Sequence, residues 1–187
     1  AFNDHLRQLQ PSMVINNRGP ENWDFQTPER SSPEGGEFPR LTEAVQSLGR
    51  ESWGYKTDED YYTSAHLIRS IDRVMAMGGN YQLNIGPKAD GSLDERDVRS
   101  LKKIGDWYNR VKEAFGDTVP ATSMITDMTS NMRDSMLLTR RGNTIYVHLY
   151  AGTETDGIVV KPFDVLPARA TLLNNGQPLD MCVNMPA

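Results

Sequence analysis

The chain has 187 residues and a formal net charge of −5, with one cysteine, Cys182. A mildly acidic protein of this kind lacks the basic surface that nucleic acid or an anionic membrane requires, so neither is expected as a partner. A single cysteine excludes an intrachain disulfide, and no apolar run approaches the roughly 18 residues of a membrane-spanning helix.

The first element is a short helix, marked by Phe2, Leu6 and Leu9 at helical spacing and closed by Pro11. The opening AFNDHLRQLQP has neither the basic start nor the apolar stretch of a signal peptide, and it reads as if already inside an element. A piece of a longer protein is therefore expected. Met13, Val14 and Ile15 predict a buried strand with the polar tip Asn16-Asn17-Arg18. Residues 19–40 are crowded with Gly, Pro, Ser, Glu and Arg and predict one long loop, a length at which loops in compact domains are commonly functional. Ser52-Trp53-Gly54-Tyr55 reads as a further strand end.

Leu67, Ile68, Ile71, Val74 and Met75 then repeat with the period of an amphipathic helix ended by Gly78-Gly79. A strand follows over Tyr81–Ile85. Ser92 and Glu95 have the spacing of a capping box, and Val98, Leu101, Ile104, Tyr108 and Val111 predict the helix it would open. This alternation implies parallel strands with crossover helices. Beyond Pro120 the helical period disappears. Residues 136–149 read as a hairpin around Arg141-Gly142-Asn143, residues 157–160 and 170–173 as strands, and Asn175-Gly176 as a turn. The expected fold class is thus α/β, an α/β layer or barrel over residues 1–119, followed by an antiparallel β domain over 120–187. Three strands are too few to close an eight-stranded barrel.

Functional residues in parallel α/β proteins gather at the carboxyl ends of strands. That rule selects Arg18, Trp53, Tyr55 and Asn84, with Asp24 and Glu29 from the long loop. Aromatic faces, amides, an arginine and carboxyls are the equipment of a sugar site. Each has a plainer reading: Glu29 as a solvated loop charge, Trp53 as core, Arg18 as a structural ion pair, Asn80 and Asn84 as partners for loop backbone. Asn80, Gln82 and Asn84 are unusual in an otherwise apolar strand. His5, His66 and His148 lie in unrelated contexts with no metal-ligand spacing, and no phosphate-binding loop, dinucleotide fingerprint or serine-nucleophile motif occurs.

Four motifs in order, Val-Ile-Asn-Asn-Arg at 14–18, Asp-Phe-Gln-Thr-Pro-Glu at 24–29, Ser-Trp-Gly-Tyr at 52–55 and Gly-Gly-Asn-Tyr-Gln-Leu-Asn-Ile-Gly-Pro opening the run 78–91, resemble the α-L-fucosidases of glycoside hydrolase family 29. The resemblance is close over about residues 10–120 and general beyond. It implies the last strands of a (β/α)8-like barrel and part of a β-sandwich, and a retaining exo-glycosidase that forms a covalent fucosyl-enzyme and needs no cofactor. Its substrates would be fucosylated oligosaccharides or glycoconjugates. Carried over by motif, Glu29 is the acid/base, Arg18 lies beside the sugar and the nucleophile, and Trp53 packs on the apolar side of fucose. Secreted, periplasmic or lysosomal locations are all compatible, as is a homo-oligomer.

The sequence departs from the pattern in several places. The W-x-D motif that carries the family's nucleophile upstream of Val14 is absent, so the 187 residues alone are expected to be inactive and to require the N-terminal part of the barrel. Residues 41–45, Leu-Thr-Glu-Ala-Val, stand where W-E-x-C is usual, Gln82 replaces Leu, and Val111-Lys-Glu-Ala114 replaces N-G-E-A. Three alternatives remain open: a non-catalytic fucose-binding module on the same fold, a different barrel hydrolase, and an independent interaction domain in the β half.

Overall fold

A computed structural model describes residues 2–31, 35–124, 136–150, 158 and 166–182. The elements are α1 (Phe2–Leu9), β1 (Glu43–Ser47), α2 (Ser64–Ala76), β2 (Asn80–Asn84), α3 (Glu95–Val111), β3 (Val119–Pro120), β4 (Met136–Arg141), β5 (Thr144–Leu149), β6 (Ala170–Leu172) and β7 (Gln177–Leu179), with short 3-10 turns at Lys112–Ala114 and Thr122–Met124. Among the described residues no helix is long and apolar enough to cross a membrane.

The first half is a parallel α/β layer. β1 and β2 pair in parallel, Glu43 opposite Asn80 and Ser47 opposite Asn84, with α2 as the crossover between them. The layer extends upstream through single parallel bridges, Gln26 to Thr42, Glu29 to Val45 and Asn16 to Phe25. Residues 19–40 are therefore not one loop. Phe25 to Glu29 runs alongside β1, its backbone held by Glu43 N–H to Gln26 O (2.9 Å), Val45 N–H to Pro28 O (2.9 Å) and Arg30 N–H to Val45 O (3.0 Å). Pro28 masks this strand in the sequence, since proline removes a ladder donor, but here it supplies only its carbonyl. The predicted buried strand at Met13–Ile15 is reduced to the bridge at Asn16, with Val14 70% exposed. Ser52–Tyr55 is not a strand end; it lies in the loop after β1.

The period-2 pattern of β2 has a physical explanation. Tyr81 faces α2, where its hydroxyl donates to Ser70 Oγ at 3.1 Å. Asn80, Gln82 and Asn84 occupy the other face, away from that helix. A strand with only one face covered by a helix needs apolar residues on that face alone.

Of the stripe its period predicts, Leu67, Ile71 and Val74 are buried, with Ala76 beside them, while Ile68 and Met75 are partly buried; each full-sized aliphatic contributes about 1.5–3 kcal/mol when removed from water. Thr63 caps its start by accepting from the His66 N–H. Past Met77 the chain turns at Gly78 with φ +84°, a left-handed geometry that a side chain strains. α3 is capped by Asp94, which accepts from the Arg96 N–H at 2.9 Å, rather than by the Ser92–Glu95 box. Ser92 is engaged by Asp90, whose Oδ1 accepts from its N–H and hydroxyl (2.9 and 2.7 Å).

In the second half, β3, β4 and β5 form an antiparallel sheet and β6 and β7 a hairpin. Gly142 (φ +56°) and Gly176 (φ +76°) sit in the two turns that the sequence marks. Of the expected strand at 157–160, only Ile158 lies within the described residues, packed against the Ala121, Met136 and Leu138 cluster. The halves meet along α2 and β4, where Ala76, Met77, Leu137 and Tyr150 form one buried cluster with Phe38 against it.

Candidate active site

At the carboxyl end of the parallel layer, the turn Asn16-Asn17-Arg18 is pinned by its own amides. Asn16 Oδ1 accepts from the Arg18 N–H (3.1 Å), and Asn17 Oδ1 accepts from both the N–H and hydroxyl of Thr27 (2.9 and 3.0 Å). These bonds tie the Arg18 turn to the strand carrying Glu29. Arg18 then donates through Nε to Thr27 Oγ1 (2.9 Å) and pairs through Nη2 with the Glu29 carboxylate. Both side chains remain open to solvent, at 49% and 42% exposure. The pair thus presents a guanidinium and a carboxylate side by side to solvent.

Trp53 sits on the loop after β1, 37% exposed. Three contacts fix that loop. Asn84, the last residue of β2, donates through Nδ2 to the Trp53 carbonyl at 2.6 Å. Gly86 lies so close to the Gly54–Tyr55 backbone that a Cβ there would fall 2.4 Å from the Gly54 carbonyl carbon. Glu59, 8% exposed, accepts from the N–H groups of Glu51 and Ser52 (2.9 and 3.2 Å). Above the ring, the Arg30 guanidinium stands 4.4 Å from the Trp53 centroid. Arg30 follows Glu29 directly, so one residue links the carboxylate strand to the aromatic loop.

Below this loop lies a polar layer. Burial raises the carboxyl of Asp97, which is 2% exposed, despite its hydrogen bond from Tyr61. Burial, and then the neighbouring charge of Asp97, push the Tyr61 hydroxyl up to about 12. Arg96 stacks on the Tyr61 ring at 4.6 Å. Ser47, Gly49, Trp53, Glu59, Tyr61 and Asn84 are among the residues that line the small pocket between these groups.

Other candidates do different work. Asp24 accepts from the Ile15 N–H (2.8 Å) and from Arg7 (2.9 Å), which hold its carboxyl below the usual range and commit it to the fold. Asn80 stands at the amino end of β2, exposed and opposite Glu43, and so belongs to the far rim of the layer. Tyr55 is 40% exposed, with Lys88 Nζ 5.8 Å from its centroid. Asp72, His148 and Thr139 have the order of a nucleophile relay, at 2.9 and 3.0 Å. Thr139 is only 1% exposed, and its hydroxyl donates to Ala114 O at 2.9 Å. The trio joins α2 to the antiparallel sheet and presents no nucleophile to solvent. Among the described residues no three His, Cys, Asp or Glu side chains cluster as a metal site.

The structure therefore brings Arg18 and Glu29 into contact and connects both to Trp53 through Arg30. Sequence reasoning missed Arg30 and Glu59. Arg30 carries a signal only through its position after Glu29, and Glu59 is hidden in the acidic stretch Asp58-Glu59-Asp60, which reads as solvated surface.

The family model described as Alpha-L-fucosidase matches residues 2–113. Plasma alpha-L-fucosidase of Pongo abelii is 27% identical over 149 residues, covering 76% of this chain and 31% of that protein. Among solved structures, alpha-L-fucosidase isoenzyme 1 from Paenibacillus thiaminolyticus superposes with a TM-score of 0.74 at 25% identity, over 96% of this chain and 44% of that one. A Bacteroides thetaiotaomicron enzyme of glycoside hydrolase family 29, solved as a trapped covalent intermediate with 2-fluoro-fucosyl fluoride, superposes with a TM-score of 0.77 at 23% identity, over 98% of this chain and 46% of that one. The chain spans less than half the length of each of these proteins.

Proposed function

The chain belongs to the α-L-fucosidase family, and from that premise we propose that the full-length protein is a retaining exo-glycosidase that releases terminal α-L-fucose from oligosaccharides or glycoconjugates. The observation that carries the reading is the Arg18–Glu29 pair at the carboxyl end of the parallel layer, joined through Arg30 to a half-exposed tryptophan.

Glu29 is the general acid/base. It protonates the departing glycosidic oxygen, and its carboxylate then removes a proton from the water that attacks the fucosyl-enzyme. Arg18 holds the Glu29 carboxylate in place and offers its remaining guanidinium hydrogens to the sugar and the nucleophile. The Trp53 ring receives the apolar side of fucose, where the methyl group projects. The W-x-D motif of the family's nucleophile does not occur among these 187 residues, which span less than half the length of the relatives. Residues 1–119 contribute late strands and helices of a (β/α)8-like barrel, and residues 120–187 part of a β-sandwich. Parallel segments lying side by side in chain order support this assignment.

The test is the stereochemistry of the first product. When the full-length protein cleaves an aryl α-L-fucoside, NMR during the first turnovers should show α-L-fucose appearing before the β anomer. β-L-fucose as the initial product would rule out the double displacement, and no cleavage would rule out the activity.

A further inference from the structure

We propose that Arg30 is a positioning residue that sets the plane of the Trp53 platform and locks it to the strand carrying Glu29; the inference rests on Trp53 being the surface that receives fucose. Arg30 is left-handed, with φ +48°. A non-glycine residue pays for that conformation and keeps it only where its surroundings impose it. Its backbone N–H is fixed to Val45 O at 3.0 Å, which aims the side chain across β1 toward the loop that follows.

There the guanidinium donates through Nη1 to the Arg50 carbonyl and lies 4.4 Å over the Trp53 ring. Its Nε and Nη2 are buried and have no hydrogen-bond partner among the described residues. Burying donor groups of a cation without acceptors is costly. The negative face of the indole is the group placed to offset that cost, and the interaction is strongest for arginine on tryptophan in a desolvated setting. One indole face is therefore occupied by Arg30, which leaves the opposite face as the surface a sugar can use.

Asn84, Glu59 and the close approach of Gly86 fix the backbone of the Trp53 loop. None of those contacts sets the rotation of the ring. Arg30 does, and because it adjoins Glu29 the platform and the proton donor are held in one register. Lysine cannot replace it: an ammonium lacks the planar fork that stacks and donates at once.

The test uses the full-length protein labelled with 5-fluorotryptophan, with the Trp53 19F resonance identified by its loss in Trp53→Phe. Arg30→Met should move the Trp53 resonance and leave those of Trp23 and Trp107 in place. L-Fucose titrated into the wild type should shift the Trp53 resonance, and its dissociation constant should rise about 3- to 30-fold in Arg30→Met, the range expected for loss of one cation–π contact. Arg30→Lys, which keeps the charge and serves if Arg30→Met does not fold, should recover less than half of that loss on a logarithmic scale. An unmoved Trp53 resonance or a wild-type fucose affinity in both variants would overturn the positioning role. A wild type whose Trp53 resonance does not respond to fucose would overturn the platform reading itself, whatever the variants show.

Discussion

Asn84 shows how a single side chain joins the strand to the site. Its Nδ2 hydrogen bond to the Trp53 carbonyl, at 2.6 Å, spans 31 residues of sequence. Asn84→Ala should cost about 1 kcal/mol in global stability, the typical net value of one such bond, while weakening fucose binding through a looser Trp53 loop; chemical denaturation and a sugar titration measure the two. Gly86→Ala is the harsher change, because the added methyl meets the Gly54 backbone and not a movable side chain. It should destabilise by about 1–3 kcal/mol, and a denaturation midpoint equal to wild type would refute the close approach. Both residues lie in the Asn80–Pro87 run whose amides stand out in the sequence. That they serve the Trp53 loop was not legible there, since their partners lie some thirty positions upstream. Glu59 was less legible still: three consecutive acidic residues look alike in sequence, and only burial separates the middle one.

Elements were legible where one physical signal dominated. α2 announces itself by its apolar stripe, and its Gly78 stop is found with φ +84°. Gly78→Ala should cost about 1 kcal/mol or more, from the left-handed backbone and from Pro120 Cγ, 2.9 Å from the new Cβ. The strand through Gln26–Glu29 was hidden by a proline and by the charged residues around it, and its pairing comes entirely from the tertiary position of β1. The start of α3 was misread because two capping signals overlap, Ser92 and Asp94, and the aspartate wins by bonding the Arg96 backbone and side chain together.

That choice has a pH signature. Arg96's side chain and backbone N–H hold the Asp94 carboxyl down at about 2, and Ser92 and Ile15 lower Asp90 and Asp24 likewise. Carboxyls depressed in the folded state stabilise it above their unfolded value near 4, and that contribution is lost as pH falls toward the folded value. Stability should therefore fall between about pH 4 and pH 2, and Asp94→Asn, which keeps a cap but not the charge, should flatten the slope in that window. An unchanged slope would mean that Asp94 carries no such linkage.

For the molecule as a whole, the seam between the parallel layer and the antiparallel sheet is part apolar, around Met77 and Leu137, and part polar, through Asp72, His148 and Thr139. Leu137→Ala should destabilise by about 2–5 kcal/mol, as large-to-small changes in a closed core do, and thermal unfolding of the variant measures it. The β half read in the sequence as antiparallel from its hairpin spacing, while the seam was invisible, because His148 and Asp72 are 76 residues apart. The role proposed for Glu29 is proton transfer at the glycosidic oxygen. Its most direct test compares Glu29→Gln with wild type in the full-length protein on two α-L-fucosides, one with an activated aryl leaving group and one with a sugar leaving group. Glu29→Gln should lose about 10²–10⁴-fold on the sugar substrate and far less in the fucosylation step on the aryl one, since a good leaving group needs little protonation. Equal losses on both would contradict it and move the acid/base role to another residue.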